Sequence, residues 1–318
     1  MKRFLVAIVG VGFLLAVAQQ APADPLYQWT RTITGDGTTA FSGPQSVTVD
    51  SSNHVWVADY DHDRIVEFNN NGTYANNQFY GLFYPFSAAV DSTGGFVWVA
   101  DTNNGHVEKF TIAGSLQGAY DGSGSGQSFS LPTGVAVNAA GTSVWVGDNG
   151  RGTLVKLNND GSYAAVKKSL GGIKGVAVDS NSNVWATETM SPAAVEEFDS
   201  NGNLGLTVGA GTLNSPSAVA LDSSGDIFVA DTYSNNIFEF DKTGNLLATI
   251  GAFGAADGYF NTPNGVAVDS LGNLWVADTY NNRIEEFSPS AVPEPATMLL
   301  VGTGAIGFLG WMRRRRMN

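Results

Sequence analysis

Apolar positions along most of this chain come in short runs of about five residues, broken by turns rich in Gly, Asn, Asp and Ser. The stretch from Pro263 to Phe287 shows the unit: GVAVD, a turn at SLGN, LWVAD, a turn at TYNN, then RIEEF. Runs of this length, with β-branched and aromatic content and turn formers at both ends, predict β-strands.

The unit recurs six times. Its second strand reads VWVAD ending at Asp59, VWVAD at Asp101, VWVGD at Asp148, VWATE at Glu188, IFVAD at Asp231 and LWVAD at Asp278, at spacings of 42, 47, 40, 43 and 47 residues. Before it stands a first strand such as SVTVD or GVAVD, and after it a third such as RIVEF, NIFEF or RIEEF. A period in the forties with several strands per unit predicts an all-β, six-bladed β-propeller of four-stranded antiparallel blades, since one such unit cannot bury its faces alone. The sixth copy runs out of chain after its third strand. The segment Leu26 to Gly35, however, matches the fourth strand of the fifth copy, Leu246 to Gly251. It is expected to complete the sixth blade and leave no open edge in the ring.

Five copies enter the blade through a proline: Pro44, Pro85, Pro132, Pro216 and Pro263, with Ile173 in that place in the fourth. Three residues earlier stands Phe41, Leu82, Phe129, Leu213 or Phe260, expected as an apolar plug. Two residues later stands Ser46, Ser87, Gly134, Ala218 or Gly265, with Gly175 in the fourth copy, small enough for strands converging on an axis.

The two ends read as addresses. Lys2 and Arg3 precede an apolar run from Phe4 to Ala18, followed by small-x-small sites that allow cleavage after Ala18 or Ala23. Residues 1–23 are therefore expected to be a helical secretory signal peptide. At the other end Pro293-Glu294-Pro295 leads into an apolar stretch, Ala296 to Met312, and then Arg313, Arg314, Arg315 and Arg316. That stretch is just long enough to span a bilayer as a transmembrane helix, with the arginines holding its end on the cytoplasmic side. The tripartite tail, 291–318, resembles the PEP-CTERM sorting signal of Gram-negative bacteria. The resemblance implies transient membrane insertion, processing by an exosortase-type enzyme, and a place in the envelope, at the cell surface or outside the cell. Gly302, Gly304 and Gly307 form a GxGxxG inside this tail, but no strand precedes it, so it carries no dinucleotide reading.

Between the ends, 24–290, the six copies resemble the NHL repeat. That resemblance implies a binding or structural role rather than a particular ligand. This body holds 10 basic against 28 acidic side chains, a balance that repels phosphate backbones and argues against nucleic acid as a partner. No cysteine occurs, which removes disulfides and thiolate metal sites.

Candidate chemistry is concentrated on the top face, where the longer connections lie. Asp59, Asp101, Asp148, Asp231 and Asp278, with Glu188 sixth, could form an acidic collar for Ca²⁺. The alternative makes each of them a cap on the turn that follows it, and occurrence in every copy favours that alternative. His62 and His106 stand in adjacent top turns, and a zinc site completed by Asp61 or Asp63 is conceivable, although it falls short of the usual three-ligand set. His54 lies in a bottom turn, away from the other two. Glu196-Glu197 and Glu285-Glu286 fall in third strands, toward the rim. Tyr120, Phe129, Phe253 and Tyr259 are candidates for stacking on sugars. No cofactor is expected. The leading expectation is a non-catalytic exported module that contacts envelope or matrix polysaccharide or protein through its top face. The alternative is a metal-assisted lyase or lactone hydrolase at the channel mouth.

Overall fold

The computed structural model describes residues 26–91 and 95–290. The expected signal peptide and the sorting tail lie outside the described residues.

Six four-stranded antiparallel sheets surround one axis. Blades 1 to 5 cover 44–79, 85–120, 132–169, 176–208 and 216–250, each running from an innermost first strand to an outer fourth one. Blade 6 takes three strands from 263–289 and its fourth from Tyr27–Ile33. The N-terminal strand does close the ring: Tyr27 pairs with Pro289 and Ile33 with Ile284, with a bulge between Trp29 and Arg31. Arg31 adds a 2.5 Å ion pair to the buried Glu286 across this seam.

The core is a ring of interfaces and has no centre. Each of six apolar clusters straddles two neighbouring blades, and one of them joins blade 6 to blade 1 through Ile33, Phe41, Val57, Phe68, Trp275 and Ile284. The second strand is buried on both sides, which explains its unbroken apolar run. Trp56, Trp98, Trp145, Trp275 and Phe228 are fully enclosed there. The plugs Phe41, Leu82, Phe129, Leu213 and Phe260 are all buried, as is Ile173. Near the axis a Cβ added to Gly265 would sit 2.7 Å from the Ser46 Cα of the next blade, so bare backbone is required there.

Aspartates following the first strands of blades 1, 4, 5 and 6 cap their hairpins, Asp50 through the N–H groups of Ser52 and His54. Asp269 Oδ1 accepts from the N–H groups of Leu271 and Asn273, and Asp179 and Asp222 do the same in their blades. The VAD aspartates do something else. Each reaches back to the segment that enters its own blade: Asp59 to Ser42 N–H, Asp101 to Phe83, Asp148 to Ser130 and Leu131, Asp231 to Asn214 and Ser215, Asp278 to Asn261. The expectation of a turn cap is corrected for Asp59, Asp101 and Asp278, whose short helical turns receive no side-chain cap from them, whereas Asp231 also accepts from the Ser234 N–H of its own turn at 3.3 Å. These carboxylates clamp the entry loop against the second strand, opposite the proline. Asp231→Ala leaves three backbone N–H groups, of Asn214, Ser215 and Ser234, without their acceptor and is expected to cost about 2–4 kcal/mol, read as a lower urea midpoint at unchanged m-value.

Candidate functional site

The first strand of each blade lines a central channel of about 280 Å³. In blades 1, 2, 3, 5 and 6 the register against the second strand slips just after the entry residue, as between Pro263 and Gly265. The residue inside each bulge is Gln45, Phe86, Thr133, Ser217 or Asn264, and bulges re-aim side chains. Lys174 holds the same place in blade 4, ahead of its shorter first strand. Five of the six, all but the buried Thr133, line the channel, and no two of the six are the same residue.

Among the described residues lining the channel, Lys174 is the only ionisable one. No carboxylate among the described residues forms an ion pair with it, and burial lowers its pKa from the ordinary lysine value. Across the mouth Thr232 Oγ1 donates to Asn264 Oδ1 at 2.9 Å, and Asn264 Nδ2 donates to Gln45 Oε1 at 2.8 Å. That chain fixes the Gln45 amide with its NH₂ group left over.

A second departure from symmetry adjoins the mouth between blades 1 and 2. In blades 2, 5 and 6 the residue after VAD is a threonine, Thr102, Thr232 or Thr279, whose hydroxyl donates to the carbonyl oxygen of the next blade's entry proline. Blade 1 has Tyr60 there, and its ring stacks on Tyr84 of blade 2 at 4.7 Å between centroids. Tyr84 in turn lies 4.9 Å from Phe83, and Tyr60 meets Phe86 edge-on at 6.4 Å. Tyr84 has a left-handed backbone (φ 54°), and so do Gly43 and Thr262 at the equivalent positions. The preceding blade holds all three by a side-chain oxygen on the backbone N–H: Asp63 for Tyr84, Asn282 for Gly43 and Asn235 for Thr262. The backbone geometry thus belongs to the scaffold, whereas the aromatic side chain is particular to blade 2. Phe83 is 45 % exposed and the nearby Tyr80 57 %, so the shelf presents ring faces to solvent on its way into the channel. Sequence reasoning missed this shelf. Its signal was available as aromatic residues at positions where no other copy carries one: Tyr60 and Phe83 stand where the others have Ser, Thr, Asn or Gly, and Tyr84 where they have Gly, Leu, Ser or Thr.

The residues singled out from sequence are dispersed. Phe253 and Tyr259 are exposed, on a loop whose carbonyls at Ala255, Ala256 and Tyr259 are held by the Arg283 guanidinium. Tyr120 is half-buried between blades, tilted over Trp98 at 5.5 Å. Phe129 is 7 % exposed and packs into the core, so its expected role in sugar stacking gives way to the plug. His62 Nδ1 lies 3.0 Å from the buried Asp59, Asp61 accepts from Ser42, and Asp63 is engaged with Tyr84. His106 lines a separate recess with Tyr120, Asp121 and Tyr163. His54 Nδ1 is 2.8 Å from Glu67. Among the described residues no group of three or more His, Asp or Glu is placed to hold a metal, and the collar aspartates are fully buried and engaged by hydrogen bonds.

The third-strand glutamates stand away from the channel, with Glu285 and Glu286 buried and Glu196 and Glu197 partly buried. Desolvation pushes Glu285 up to about 7 despite Arg283 at 3.2 Å, and Glu108 likewise up to about 7, helped by Asp101.

Family models match the NHL repeat at residues 41–68, 213–240 and 260–287, and the PEP-CTERM protein-sorting motif at 291–316. No curated protein matches the chain. Among solved structures, a catalytically inactive histidine-to-alanine variant of virginiamycin B lyase from Staphylococcus aureus with quinupristin is similar at TM-score 0.57 and 14% identity, over 80% of this chain and 83% of that one. A protein of unknown function from Bacteroides thetaiotaomicron gives 0.63 and 16%, over 80% and 72%. Kuenenia stuttgartiensis hydrazine synthase gives 0.61 and 11%, over 80% and 97%. At such identities the likeness is one of fold. The chain is a six-bladed β-propeller in which three repeat units match the NHL repeat, and it carries the PEP-CTERM protein-sorting motif, which implies exosortase processing and indicates export to the cell envelope or surface of a Gram-negative bacterium.

Proposed function

We propose that this protein is an exported, non-catalytic binding module that holds an envelope or matrix polysaccharide on its top face. The observation that carries the reading is the aromatic shelf of Tyr60, Phe83, Tyr84 and Phe86, which breaks the sixfold pattern and runs into the channel mouth. Flat apolar rings beside fixed amide and hydroxyl groups suit pyranose rings, which have an apolar face and a hydroxylated edge. The sorting motif supports a place for the propeller where such polymers occur.

The alternative, a metal-assisted lyase or lactone hydrolase, finds less support. The lyase whose inactive form is a histidine variant shares the fold, yet no histidine, aspartate or glutamate lines this channel among the described residues. Metal-assisted chemistry there would lack the histidine and carboxylate ligands that hold the ion, and Lys174 would be the sole ionisable group among the described lining residues.

Replacing Phe83 by Asn and Tyr84 by Thr gives blade 2 the entry residues of blade 6, Asn261 and Thr262. The double variant is expected to lose at least about tenfold in affinity for the glycans that an array selects, with little change in melting temperature. Undiminished glycan binding in the folded variant would refute the shelf as the site.

A further inference from the structure

Among the described residues the channel holds a single amine, and no described carboxylate neutralises it. Lys174 stands at the mouth of a body with a large excess of acidic groups, yet no carboxylate pairs with it. Elsewhere in this fold buried cations are matched: Arg64 meets Asp59 and Asp36 at 2.7 and 2.6 Å, and Arg283 meets Asp278 at 2.8 Å. A half-buried ammonium without a counter-charge carries a desolvation cost that an incoming anion relieves. Around it the mouth supplies neutral polar groups, namely the spare NH₂ of Gln45 and the fixed amide of Asn264, and on one side the Phe86 ring.

We propose that the mouth recognises a carboxylated sugar: Lys174 pairs with the carboxylate of a uronate unit of the bound polysaccharide while the shelf carries the neighbouring ring. The inference rests on the saccharide-binding reading and specifies its ligand class. A channel of about 280 Å³ has room for one sugar unit and not for a folded peptide loop, so a uronate fits better than an acidic protein segment. Lys174 is also the position at which the other blades place Gln45, Phe86, Thr133, Ser217 and Asn264, so the positive charge is present once rather than six times. One sugar orientation is thereby selected. The acidic body repels an anionic polymer at long range, so the preference acts only at contact, where a half-buried pair is weakly screened.

Calorimetric titration of the full chain with an oligogalacturonate, its carboxyl-reduced counterpart and an oligoglutamate peptide tests the inference. The uronate is expected to bind at least about tenfold tighter than the reduced sugar. Lys174→Met is expected to bring the uronate down to the affinity of the reduced sugar, and Lys174→Arg to restore most of the difference. Equal binding of the two sugars by the native protein, or an unchanged ratio in Lys174→Met, overturns the uronate assignment and leaves the saccharide reading standing. Binding of neither sugar overturns both, and so does oligoglutamate bound as tightly as the uronate.

Discussion

Excision of Tyr27–Ile33 is expected to lower the melting temperature by more than about 15 °C and to leave the protein prone to aggregation. The deletion removes the outer strand of blade 6 and, with Ile33, a buried member of the cluster that joins blade 6 to blade 1. It also strips the partner from Arg283–Pro289 and leaves Glu286 without Arg31, its 2.5 Å counter-ion. A peptide spanning residues 26–34, added in trans, should recover part of the lost stability, because its pairing surface remains. A truncated protein that melts within about 3 °C of the parent would show that the seam contributes little.

Raising the pH from 5 to 8 is expected to lower the melting temperature by roughly 10 °C. Glu108 and Glu285 keep a proton in the fold up to about pH 7, whereas the unfolded chain releases it near 4.5. In that interval the folded state binds the extra protons, so stability is full below about pH 4.5 and falls as pH climbs to about 7, by about 3 kcal/mol per glutamate. Burial raises Glu239, Glu286 and Asp278 in the same direction. Carboxylates held low, such as Asp199 by the backbone N–H of Asn203, act in a more acid window and do not mask the trend. Replacing Glu108 and Glu285 together by glutamine should flatten the profile measured by scanning calorimetry. A melting temperature that is level or rises over this range would refute the assignment.

The repeat was legible because packing in a propeller is local and periodic. The aromatic of VWVAD, the plug such as Phe260 and the small residue such as Gly265 each face the same neighbour in every blade, so each leaves the same mark six times. The closing strand was legible because Leu246–Ile250 offered a template for it. The partners of the VAD aspartates were not, since those partners are backbone N–H groups 16 to 18 residues upstream, which no side-chain pattern encodes. Glu285-Glu286 could be placed in a third strand from the repeat, but not their burial, which comes from the neighbouring strands that cover them. The candidate site escaped for the opposite reason to the scaffold. Tyr60, Phe83, Tyr84 and Lys174 occur once each, and a search for what repeats passes over them.

The seam between the first and last strands also sets an order of events during export. Tyr27 and Pro289 pair although the whole ring separates them in sequence, so the earliest strand to cross the membrane must wait for the latest. Until Arg283–Pro289 has emerged, blade 6 has no surface to receive it. The sorting motif begins at residue 291, directly after that strand. The strand that completes the ring and the sorting motif are thus neighbours in sequence, so a chain cut short before residue 283 would lack both the closing partner of Tyr27–Ile33 and the motif.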